Sequence, residues 1–207
     1  MPSVFINYRT SDSLATATLL DRELSDRFGA DEIFRAGRSI GGGKRFPDEI
    51  RKALRKCDVL LALIGPGWRD ARTADGRRAL DDENDWVRFE IVEALALGLS
   101  VIPVLLDRTP RLVPADVPEP LAALPELQNL TLDHRHPDDG IDHIAEAIVT
   151  AVPALGTKPN SSRRGLGNGP TAGDGAFRGN LFLGRTRVDG DVVGGDKNVW
   201  GTGERHG

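Results

Sequence analysis

The chain has 207 residues, 39% hydrophobic and 28% charged, enough for one packed globular domain with an appendage. Its net charge of −4 is unevenly divided, with 19 Lys/Arg against 26 Asp/Glu in residues 1–155 and 8 against 5 in residues 156–207. An acidic body argues against nucleic-acid binding, the absence of a long apolar run argues against a transmembrane span, and the single cysteine, Cys57, excludes an internal disulfide and fits a reducing cytoplasm.

Taken in chain order, strands and helices alternate. The N-terminus runs directly into a short apolar strand from Val4 to Tyr8, leaving no room for a signal peptide. Ser11 is placed to cap a helix in which Leu14, Ala17, Leu20, Leu24 and Phe28 recur at helical spacing, and Gly29 stops it. Glu32 to Phe34 reads as a second strand. A glycine-rich loop from Arg35 to Arg45 follows, then a helix with Pro47 in its first turn and Phe46, Ile50 and Leu54 on one stripe. Val59 to Ile64 is a continuous apolar run, the pattern of a central strand buried on both faces, and Gly65-Pro66-Gly67 breaks it.

The stretch from Asp85 to Leu95 (DWVRFEIVEAL) predicts an amphipathic helix. Trp86 and Glu90 share one of its faces at i, i+4 spacing, while Ile91, Leu95 and Leu99 lie on the buried side. Val101 to Leu106 predicts a core strand and Glu126 to Leu132 a fifth strand. Ile141, Ile144, Ala145, Ile148 and Val152 line a last helix. The sum is an α/β, flavodoxin-like fold: five parallel strands in the order 2-1-3-4-5, with helices on both faces. Ligands of such sheets bind beyond the carboxyl ends of the strands. Here that rim gathers Tyr8, Arg9, the Arg35–Arg45 loop, Gly65 to Trp68, Asp107 and the start of the Glu90 helix.

Composition shifts near Val152–Pro159. Residues 156–207 contain 14 of the 24 glycines, which predicts a domain over 1–155 and a glycine-rich tail over 156–207. The tail keeps apolar clusters at Phe177–Gly184 and Val188–Trp200. It reads either as a disordered linker or as an interaction segment. Val192 to Asn198 resembles the cross-β motif of signalling amyloids, with departures at Val193 and Gly194; high glycine opposes zipper packing.

Several chemistries are disfavoured. The run ending Gly43-Lys44-Arg45 is not a phosphate-binding P-loop, because Arg38 stands at the first glycine and Arg45 at the Ser/Thr. His134, His136 and His143 lack a companion ligand set for a metal. Cys57 precedes an apolar strand and reads as a small core residue. Asp107, at a strand end, reads as a turn cap or a ligand contact. The first strand lacks the acidic pair of a phospho-acceptor pocket, which argues against a receiver-like module.

Four ordered segments carry a family resemblance. Val4 to Arg9 (VFINYR), the glycine-rich loop ending in Gly43 to Phe46 (GKRF), Cys57 to Gly67 (CDVLLALIGPG) and Asp85 to Ile91 (DWVRFEI) resemble the corresponding segments of Toll/interleukin-1 receptor (TIR) domains. The resemblance spans about residues 3–152. The Trp86–Glu90 spacing resembles the branch that cleaves NAD, without any other cofactor or metal. It implies Glu90 as the catalytic carboxylate, stabilising the oxocarbenium-like ribose by about 3–4 kcal/mol. It implies Trp86, Phe46 and Tyr8 as surfaces for nicotinamide or ribose, and Arg9, Arg35 and Lys44 as pyrophosphate contacts.

Each residue also has a plainer reading. Glu90 can be a solvated helix acid, Trp86 a rim packing residue and Phe46 a helix staple. The three basic residues can be loop charges. The functional expectation is a bacterial NAD-cleaving immune effector, giving ADP-ribose or a cyclic isomer, cytoplasmic and activated by self-association. The alternative is a non-catalytic adaptor that binds other TIR domains.

Overall fold

The computed structural model describes residues 3–35 and 46–156. Five strands, β1 (Val4–Asn7), β2 (Ile33–Arg35), β3 (Val59–Ile64), β4 (Ser100–Leu106) and β5 (Leu130–Leu132), form one parallel sheet in the order β2-β1-β3-β4-β5. This is the order expected from the sequence. The helices are α1 (Thr10–Phe28), α2 (Phe46–Leu54), α3 (Trp86–Ala96), α4 (Pro137–Ala151) and a single closing turn, α5 (Pro153–Gly156).

Strand alternation sends side chains into two cores. Val4 and Ile6 of β1, with Val59, Leu61 and Leu63 of β3, face α1 and α4, where Leu20, Leu24, Ile144 and Ile148 meet them. Phe5, with Leu60, Ala62 and Ile64, faces α2 and α3 and packs with Ile50, Leu54, Val87 and Ile91. Trp68, fully buried, is drawn into this second core from the connection after β3. β3 is therefore apolar along its whole length because both of its faces are covered.

Four expectations on element boundaries need correction. The α1 helix starts at Thr10, so its N-cap is Arg9 and the exposed Ser11 caps nothing. Ser13 leaves helical geometry (φ −130°, ψ 17°), and its hydroxyl engages the backbone of Arg9. That kink buries Ser13 and re-aims the first turn, so Leu14, expected in the apolar stripe, is 42% exposed and the buried apolar stripe begins at Ala17. On α3 the buried stripe is Val87, Glu90, Ile91 and Ala94; Leu95 and Leu99 are only half-buried. β5 has three residues rather than seven. Pairing with β4 starts at the Val104–Leu130 step, and Leu124–Glu126 is taken up by a proline-containing 3-10 turn.

The expected tail and the glycine-rich loop up to Arg45 lie outside the described residues. Among the described residues no helix is long and apolar enough to cross a membrane.

Candidate functional site

The site is organised around the last residue of β1. Asn7 points to the α3 side of the sheet, in register with Ala62 of β3, and is fully buried. Its Nδ2 donates to the backbone carbonyl of Val87 at 3.1 Å and to Glu90 Oε2 at 2.7 Å. The Val87 contact sets the orientation of the amide, so a donor is what faces the carboxyl group. Glu90 occupies a core-facing position of α3 and is 6% exposed. Its other oxygen, Oε1, accepts no hydrogen bond among the described residues.

Burial pushes the Glu90 carboxyl up to about 8. The Asn7 donor opposes the shift, and the nearby charge of Asp85 adds to it. Burial thus favours the protonated form of Glu90 well beyond an ordinary glutamate, whereas the resemblance implies a carboxylate at this position.

Asp85 caps α3 by accepting from Arg88 N at 2.9 Å. Arg9, just past β1, grips the same carboxylate through Nη1 at 2.8 Å and Nη2 at 3.0 Å. Its Nε is sealed from solvent without a partner. In this conformation Arg9 is therefore a strut between the β1 exit and the α3 start. Arg35, at the end of β2, is also committed: Nε donates to buried Asp21 at 3.0 Å and the guanidinium lies 5.9 Å from the centre of the Tyr8 ring. Tyr8 itself is half-buried at the strand tips.

Trp86 opens α3 and is 41% exposed. Its ring meets Phe89 edge-on at 5.6 Å, and Arg51 of α2 covers Phe89 at 4.9 Å while reaching Glu93 at 3.4 Å. Trp86 is thereby an exposed aromatic surface braced from below. Lys44 lies outside the described residues, as does the Phe46 side chain, although Phe46 begins α2.

The neighbouring strand exits are built closely. Asp12 Oδ1 accepts from Gly67 N at 2.8 Å, and a Cβ at Gly65 would stand 2.2 Å from Asp12 Oδ2. Asp107 adopts φ 55° after β4 and accepts from His134 N at 3.0 Å and His134 Nδ1 at 2.5 Å, so it acts as a turn cap. Cys57 is buried and its thiol is pushed up to about 12 by that burial and by Asp58, which keeps it inert as a nucleophile.

Asn7 and Asp85 are the site residues that sequence reasoning did not single out. The signal for Asn7 was an amide ending an apolar strand, since a buried polar side chain is the informative exception.

The TIR-domain family model matches residues 4–145, and the chain belongs to that family. The match covers the sheet and most of α4. Among solved structures, the fold is similar to the TIR domains of the activated Roq1 resistosome directly recognizing the pathogen effector XopQ. The TM-score is 0.54, with 72% of this chain and 99% of that chain covered at 17% identity. At that identity the likeness concerns the fold.

Proposed function

We propose that this TIR domain cleaves the nicotinamide–ribose bond of NAD and works as a cytoplasmic immune-signalling effector switched on by assembly. The observation that supports this reading is the Glu90 carboxyl held at the end of β1, with Oε2 tied to Asn7 and no hydrogen bond to Oε1 among the described residues. The C–N bond breaks with its electron pair passing to the nicotinamide nitrogen, which becomes neutral. The ribose carbon left behind is cationic and is captured by water or by a nucleophile of the same substrate. Glu90 stabilises that cation and hydrogen-bonds the ribose.

A protonated resting carboxyl is compatible with this chemistry. The positive nicotinamide ring, brought within about 4–6 Å, favours the ionised form and draws the proton off. Trp86, Tyr8 and Phe46 are assigned as ring surface for the substrate. Lys44 is assigned to the pyrophosphate, and Arg9 and Arg35, paired with Asp85 and Asp21, would turn toward it as those pairs loosen. Such a rearrangement fits activation by neighbouring copies, with residues 156–207 recruiting the chain into the assembly or to a sensor.

The test is concentrated full-length protein incubated with NAD, with chromatography of the products. Nicotinamide release that disappears in a folded Glu90→Ala variant supports the reading. No release at any protein concentration, or release that persists in Glu90→Ala, rejects it. The second reading is a non-catalytic adaptor that binds other TIR domains. The 6% exposure of Glu90 favours that reading, and co-assembly with other TIR domains without nicotinamide release at any protein concentration would establish it.

A further inference from the structure

We propose that Asn7 is a positioning residue for Glu90, holding Oε2 inside the fold so that Oε1 is the oxygen left for the substrate. The inference rests on the NAD-cleavage reading above but is anchored in the sheet. A carboxyl on a core-facing helical position has two ways to lower its energy: swing to solvent or keep its proton. Asn7 provides a third. Its amide is fixed by the Val87 carbonyl at 3.1 Å and by a rigid central strand, so the 2.7 Å donor to Oε2 cannot follow the carboxyl outward. At 2.7 Å the bond sits at the short end of the amide range and stabilises the negative form against burial.

The other charged groups around α3 leave this role to Asn7. Asp85 at the N-cap is neutralised by Arg9, and Glu93 on the outward side is engaged by Arg51. Glu119, on the 3-10 turn packed against α3, is exposed. β3 and β4 present no titratable side chain to it. Asn7 is thus the one donor to the Glu90 carboxyl among the described residues.

The experiment uses the full chain with 13C-labelled glutamate carboxyls and follows the Glu90 resonance through a pH titration, in parallel with nicotinamide release. Asn7→Ala is expected to raise the Glu90 midpoint by about one pH unit, and Asn7→Ser, which keeps a shorter donor, by less. At pH 7 kcat falls about tenfold in Asn7→Ala with little change in KM, and the loss shrinks at pH 9. An unchanged midpoint and pH profile in Asn7→Ala overturns the proposal, even if kcat falls. Should Asn7→Ala fail to fold, the wild-type Asn7 side-chain amide signals serve. They must shift with the Glu90 titration, and independence of it overturns the proposal. If the wild-type chain releases no nicotinamide, the titration arms still decide the role of Asn7, so loss of the reaction and loss of this pairing are told apart.

Discussion

Arg9 and Asp85 are joined by two parallel hydrogen bonds, 2.8 and 3.0 Å, with side chains only 11% and 10% exposed. The pair ties the exit of β1 to the first turn of α3, and so fixes Asn7 and Glu90 relative to each other. Arg9→Ala leaves a shielded carboxylate with only the Arg88 amide as partner. It should cost about 3 kcal/mol in urea denaturation, the range for breaking rather than replacing a buried pair. A loss below about 0.5 kcal/mol would class the contact with exposed ion pairs instead.

Glu90 makes stability depend on pH in a defined direction. Its folded pKa, about 8, lies above its ordinary value of 4.5, so between these limits the folded state holds a proton that the unfolded chain has lost. The contribution is fully present below about pH 4.5, declines as pH rises toward 8, and is flat above that. Glu90→Gln cannot titrate. Its stability relative to wild type should therefore rise by roughly 1.4 kcal/mol per pH unit across this window, read from denaturation curves at pH 5, 7 and 8.5. A constant difference would mean that Glu90 is not shifted.

The same proton shapes the reaction if Glu90 must be ionised. For assembled protein, kcat/KM should climb with pH and level off above an apparent pKa near 8, because this parameter reports the free enzyme. The kcat profile should level off lower, since the cationic substrate stabilises the carboxylate. Coincident profiles would count against an ionisable Glu90 in direct contact with the nicotinamide riboside.

Two glycines are held by close approach. At Gly65 an added Cβ would meet the Asp12 carboxylate at 2.2 Å and displace it from Gly67 N. Gly65→Ala should cost about 1–3 kcal/mol, and the loss should shrink in an Asp12→Ala background. At Gly140 in α4 the nearest obstacle is the Leu132 side chain, Cδ1 at 2.7 Å, with backbone close behind it, Thr131 O at 3.0 Å and Leu132 Cα at 3.2 Å. Alanine normally improves a helix interior by about 1 kcal/mol. Here the clash should reverse the sign, lowering the thermal midpoint; a gain would show that β5 yields easily.

Removing residues 160–207 should abolish assembly of the full chain while leaving the cooperative melting of the remaining domain unchanged. Sedimentation of both forms at matched concentration checks this, and equal association would relieve the tail of that role.

The fold was legible because its signals are local. The fully apolar β3, the stripe from Ala17 to Phe28, the stop at Gly29 and the last helix through Ile148 each announce an element, and right-handed crossovers leave few ways to order five parallel strands. Glu90 could be singled out by its spacing from Trp86. Its environment could not, since hydropathy assigns a glutamate to solvent and only the packing of α3 on β1 places it in the core. The same packing selects Asn7 as its partner and commits Arg9 to Asp85, although these residues stand 83 and 76 positions apart. Periodicity records which face of an element is buried. Which polar atoms meet across two buried faces depends on the register and kinks of both elements, and the tertiary structure alone decides it.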